Sequence, residues 1–257
     1  MMLAISALKG FLVDASDGRI GTISDFLFDD TTWKIRWMVV DTGGWLKGRK
    51  ILIHPSAISQ PNYRREELSV RLTTTQVKES PDILSDQPVS EQMETELYGY
   101  YGWDPLWGGT NYFGVYPFGL ASGVTETPGS GDGELLQEAR ADPVPKGDPH
   151  LRSVTSVTGY HLQAKDGPIG HIENILVDDA TWGIRYFIID TLNWWPGKHV
   201  LLSPYAVRAI SWAERNIAVD VTRDQVQGGP VWDPADAINS TFQKSLHRYY
   251  GWPSYGW

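Results

Sequence analysis

The chain contains no cysteine. Disulfides, thiolate nucleophiles and cysteine-ligated zinc or iron–sulfur centres are therefore excluded, and the composition fits a reducing compartment. Basic charge is scarce: 22 Lys and Arg face 31 Asp and Glu, a formal net charge of −9. No long segment is basic, which disfavours nucleic acid as a partner, because such binding relies on cations that neutralise phosphates. No stretch approaches the ~20 apolar residues of a membrane-spanning helix. The N-terminal MMLAISALKG lacks the basic region and small-residue cleavage site of a secretory signal. A cytoplasmic location is expected.

Catalytic motifs are missing too. There is no G-x-S-x-G, G-x-x-x-x-G-K-[ST], H-E-x-x-H or G-x-G-x-x-G. The six His (54, 150, 161, 171, 199 and 247) include no i, i+4 pair, so surface or packing roles are expected of them. No catalytic, cofactor-binding or metal-ligating residue is assigned, and a non-enzyme is expected.

What the chain does have is a repeat. A shift of 149 aligns residues 10–103 with 159–252 without a gap, with about thirty of 94 positions identical. DGRIGTI (17–23) matches DGPIGHI (166–172), LFDDTTWKIRW (27–37) matches LVDDATWGIRY (176–186), and YYGW recurs at 100–103 and 249–252. Residues kept by both copies point to a shared structural need.

One copy reads as short strands. Residues 11–15 form a first strand, Asp17-Gly18 a two-residue hairpin turn, and 20–29 a second strand. Asp29-Asp30, like Asp178-Asp179, reads as a capped turn rather than a cation site, since no third acid stands at EF-hand spacing. Residues 33–41 form the strongest strand, with Trp33, Ile35, Trp37 and Val39 on one face by the period of two. Arg36 with Asp41, and Arg185 with Asp190, are candidates for a cleft or a structural ion pair, although parity sets them on opposite faces. Residues 50–53 and 68–72 complete the strands. Thr73 with Gln76 and Thr222 with Gln225 fit capping boxes, and second helices are predicted over 89–101 and 237–250.

Residues 103–120 are rich in Gly and aromatics, 121–134 are polar and Gly-rich, and 141–150 hold three prolines. The expected organisation is a first module over 1–103 with a C-terminal helix, an aromatic then Gly/Pro-rich linker over 104–150, and a second module over 151–257 with a helix and aromatic tail. Tyr100, Tyr101, Trp103, Trp107, Tyr249, Tyr250, Trp252 and Trp257 are the candidate interaction surface. Two readings stay open for them: cover for the modules or their contact, or an exposed docking strip.

The ordered set (a DGxxIG turn, a strand ending in Asp-Asp, WxIRW-VVDT, the K-xLIHPSAI segment and a T-x-x-Q helix), found twice, resembles the PRC-barrel family. That family includes the cytoplasmic domain of the photosynthetic reaction centre H subunit, a domain of a ribosome-maturation factor and many bacterial proteins. The resemblance covers roughly 70–80 residues of each copy. It implies a mainly β fold: two tandem small SH3-like β-barrels, each with short C-terminal helices, packed as an internal pseudo-dimer. It implies association with other macromolecules, and the leading expectation is non-catalytic association with protein partners, compatible with a peripheral place on a membrane complex. The H subunit's spanning helix and the maturation factor's RNA role do not carry over to this acidic chain. The alternative is a small-ligand or metal-ion site between the barrels; an enzyme of unknown type is the third reading.

Overall fold

The computed structural model describes residues 1–59, 61–81, 91–103, 148–191, 195, 198–233 and 237–255. The first half comprises β1 (Met2–Ala4), β2 (Leu12–Ala15), β3 (Gly18–Asp29), β4 (Lys34–Asp41), β5 (Lys50–Ile53), β6 (Glu67–Ser69), α1 (Thr74–Glu79) and α2 (Glu91–Tyr101). The second comprises β7 (Leu151–Ser153), α3 (Val154–Val157), β8 (His161–Ala164), β9 (Gly167–Asp178), β10 (Ile184–Asp190), β11 (His199–Leu202), β12 (Val207–Ser211), β13 (Asn216–Val219), α4 (Arg223–Gly228) and α5 (Ser240–Tyr250). The protein is mainly β, in two sheets and two domains.

The sheet orders are β5-β4-β3-β2-β6 and β11-β10-β9-β8-β13-β12. Neither ladder closes, which corrects the expectation of closed barrels. In each half the chain leaves the edge strand through a three-residue 3-10 turn, Pro55–Ala57 or Pro204–Ala206. Proline has no N–H to give a ladder, so a turn of chain spans the gap that hydrogen bonds would otherwise bridge.

Each half completes the other. β1 pairs antiparallel with β9, Leu3 opposite Val177, while β7 pairs with β3, Phe28 opposite Arg152. β1 and β7 are themselves related by the shift of 149, so the repeat extends ahead of residue 10. Between the halves, Ile35 N donates to Trp182 O (2.9 Å) and Ile184 N to Trp33 O (2.7 Å). Trp33 and Trp182 both adopt positive φ, 55° and 54°, a conformation that costs a non-glycine residue about 1 kcal/mol or more. Ring burial offsets it: Trp33 stacks on Phe28 and meets Phe187 edge-on at 5.3 Å, and Trp182 stacks on Phe26. Phe26, Phe28, Phe187 and Trp182 belong to one core that runs through both halves.

The turn chemistry is mostly as the residues suggest. Both capping boxes form. The hairpin turn is shifted by one residue from its expected place: Ala15 pairs with Gly18, leaving Ser16 and Asp17 as the turn. Asp17 is thereby freed to accept from Thr74 N at 2.7 Å, and Asp166 likewise accepts from Arg223 N at 2.9 Å. The glycine of each I-G pair is required for space. A Cβ on Gly21 would lie 2.1 Å from Asp41 O, and one on Gly170 2.0 Å from Asp190 O.

The parity of β4 is also corrected. Leu27 pairs with Trp37 but Phe28 with Ile35, so Arg36 is the extra residue of a bulge. Arg185 is its counterpart, between Ile184 and Tyr186. A bulge re-aims the side chains that come after it in the strand. Ile35, Met38 and Val40 therefore face the shared core, whereas Trp37 and Val39 turn outward toward α2.

Candidate functional site

The outward face of each sheet, covered by the half's last helix, collects the polar side chains with most chemical potential. In the first half the bulge aims Arg36 at three carboxylates. Its Nη1 donates to Asp148 Oδ2 (2.7 Å) and reaches Asp29 Oδ2 (3.5 Å), and its Nη2 donates to Glu94 Oε2. The other Glu94 oxygen accepts from the Trp37 indole N–H. Asp29, Glu94 and Asp148 are 1%, 2% and 3% exposed. Burial pushes Glu94 up to about 7, and the neighbouring Asp148 and Asp29 charges add to this against the pull of Arg36 and Trp37. Burial acts on Asp29 in the same sense, but the Thr31 hydroxyl, the Thr31 and Thr32 amides and Arg36 outweigh it and hold that carboxyl below its ordinary value. Asp29 is thus the turn cap, matched by Asp178 with Ala180 and Thr181. Asp30, the second acid of the pair, instead holds the visiting chain: His150 Nδ1 at 2.9 Å and Arg152 Nε at 2.8 Å.

Beside this cluster lies an aromatic cage. His54, Tyr98 and Trp103 all surround Trp37 with ring centroids within 6.0 Å. His54 is buried and its Nδ1 accepts from Ser56 N, capping the 3-10 turn.

The second half fills the same place with neutral groups. Tyr186, Gln243, His247 and Ser203 stand where Trp37, Glu94, Tyr98 and His54 stand in the first. His247 Nδ1 donates to Pro253 O, which leaves Nε2 to accept from the Tyr186 hydroxyl at 2.9 Å. Tyr255 from the tail donates to Arg185 O (2.9 Å), bonds Ser203 Oγ, and lies under the Arg185 guanidinium at 4.2 Å. Burial keeps His247 below its ordinary pKa despite the Pro253 carbonyl, with Arg185 assisting. Tyr186 and Tyr255 are pushed upward, chiefly by burial.

The candidate aromatic residues are divided between these settings. Tyr101 stacks on Trp103 at 4.1 Å and Tyr250 on Trp252 at 4.3 Å, all four half-buried against their sheets. Gly102 and Gly251, at φ 66° and 72°, reverse the chain so that each tryptophan can fold back. Tyr100 and Tyr249 are 40% and 44% exposed, and their hydroxyls donate to Gln76 O in α1 and Gln225 O in α4. Trp107 and Trp257 lie outside the described residues, as does most of the 104–150 linker. Arg36 does not bridge to Asp41, whose Oδ1 accepts from Gly43 N at 2.8 Å. Arg185 comes no nearer than 4.0 Å to Asp178. Glu94, Asp148, His247 and Tyr255 carry no motif and were not singled out by the sequence. For Glu94 and His247 the available signal was that four positions (37, 54, 94 and 98 against 186, 203, 243 and 247) differ between the copies as a set; nothing marked Asp148 or Tyr255.

Among the described residues no three His, Asp or Glu are placed to hold a metal ion. No helix among them is long and apolar enough to cross a membrane.

A small, bulged sheet with a 3-10 turn at its gap and a capped helix after it defines each half as a small β module. Residues 2–71 match the model of the PRC-barrel domain, and the first half is a member of that family. An uncharacterized protein of Deinococcus radiodurans is 33% identical over 79 residues, which cover 29% of this chain and 27% of the relative. The chain therefore spans little more than a quarter of that relative's length.

Proposed function

We propose that the chain is a non-catalytic, tandem PRC-barrel protein that acts in the cytoplasm through protein–protein association or assembly. The second half is read as the second barrel of the tandem because it repeats the strand order, bulge, capping box and 3-10 turn of the first. The observation that carries the non-catalytic reading is how the reactive groups are spent. Arg36, Glu94, Asp29 and Asp148 satisfy one another, as do Tyr186, His247, Tyr255 and Ser203. None of these groups is left aimed at a cleft, as a nucleophile or general base must be. The junction between the halves is filled by Trp33, Phe187, Phe26 and Trp182, which favours association over a ligand held there. Tyr100 and Tyr249 present exposed rings of the kind that anchor interfaces.

The test is affinity capture with the intact, tagged chain from cells that express it, against Tyr100→Ala and Tyr249→Ala baits. A reproducible partner set, depleted for the variants, is expected. A bait that enriches nothing above a tag-only control would overturn the reading, as would turnover of any compound in a hydrolase and oxidoreductase substrate panel.

A further inference from the structure

We propose that Glu94 and Asp148, brought together on the Arg36 guanidinium, form a proton-operated latch that fastens the segment leading into the second half onto the first. The three carboxylates around Arg36 come from three separate stretches: Asp29 ends β3, Glu94 lies on α2, and Asp148 directly precedes β7. Asp148 is also tied to its own downstream chain, since its Oδ1 accepts from His150 N at 2.8 Å. From there the chain runs into the β7–β3 pairing. Releasing Asp148 therefore loosens the strand that the second half lends to the first.

With Glu94 neutral, two carboxylates share one guanidinium. With Glu94 ionised there are three, in a place almost closed to water. The surplus charge is relieved when one member leaves, and Asp148 is the member on the stretch that leads into the second half. Burial and the two neighbouring acids favour the neutral form up to about pH 7. Once α2 or the 148–153 segment lifts, Glu94 is hydrated and ionises near its ordinary 4.5. The released form thus loses its proton first, and release becomes easier as pH rises from 4.5 to 7. Among the described residues the other titratable or charged groups at the junction are Asp25, which accepts from Ser153 Oγ, and Asp30, His150 and Arg152; His54 packs on the Trp37 ring. The second half lacks the device: Gln243 replaces Glu94.

Hydrogen–deuterium exchange of the full chain, corrected for intrinsic rates, tests this from about pH 5 to about pH 8. Protection of residues 91–103 and 148–153 is expected to fall roughly tenfold per pH unit up to neutrality and then level off. Residues 2–4 and 240–250 should show no such step. Glu94→Gln should abolish the step while leaving the Asp30–His150 contact in place, so the difference isolates Glu94. Asp148→Asn removes one of the charges that raise Glu94 and should move the step to lower pH. A flat wild-type profile, a step that survives Glu94→Gln, or an Asp148→Asn profile superimposable on the wild type would each overturn the latch.

Discussion

Beneath α2 and α5 the same backbone supports two different polar solutions. The first half gathers charge: one guanidinium and three acids, one of them supplied by the chain just ahead of the second half. The second half gathers hydroxyls and a neutral imidazole, and is completed by Tyr255 from its own tail. The Arg at the bulge is common to both. The difference teaches that the fold demands a filled, satisfied space at this position and not a particular chemistry. What fills it decides whether the site responds to the rest of the molecule or only to itself.

The largest expected effect separates the two arginines. Arg36→Met strands three buried acids and should cost about 3–5 kcal/mol in urea unfolding. Arg185→Met loses a ring contact and a long ion pair and should cost about 1 kcal/mol. Equal losses would break the comparison.

Next comes pH. Glu94 has a raised pKa, so its contribution is most favourable below 4.5 and is lost as pH rises to about 7. The loss is on the order of 3 kcal/mol. His247 has a lowered pKa, so its contribution is fully present above 6.5 and falls as the solution is acidified below that value. The halves should respond in opposite directions. Thermal unfolding of Glu94→Gln and His247→Gln across pH should each flatten one flank of the profile. Two variants that flatten the same flank would contradict the assignment.

The smallest effects should be equal in the two halves. Thr73→Ala and Thr222→Ala each remove a capping-box hydroxyl and should cost about 1 kcal/mol. A marked inequality in chemical denaturation would show that the helices differ in more than their surroundings.

Local chemistry was the most readable from sequence. The capping boxes and the Asp-Asp turns announce themselves because their causes lie within a few residues; the space required at Gly21 and Gly170 is set by Asp41 and Asp190 on the neighbouring strand. The exchanged strands did not, because β1 and β7 share no residue identity; MLA and LRS pair through backbone groups that any sequence supplies. Parity failed at Arg36 because a bulge inserts one residue without changing composition. The aromatic motif YYGW was visible, but not that its first tyrosine would reach a helix 24 residues earlier. Glu94 and Asp148 are brought to Arg36 from 58 and 112 residues away, a distance over which spacing carries no signal.

The reciprocal lending of β1 and β7 has a consequence for how the molecule tolerates damage. Cleavage within residues 104–147 would cut the covalent tie, yet the pieces would still interlock through both lent strands and the paired tryptophans. Deleting one copy is a different matter. The survivor would keep an unfilled groove along its longest strand, an adhesive edge toward any passing chain, so the two copies can be inherited together far more safely than apart.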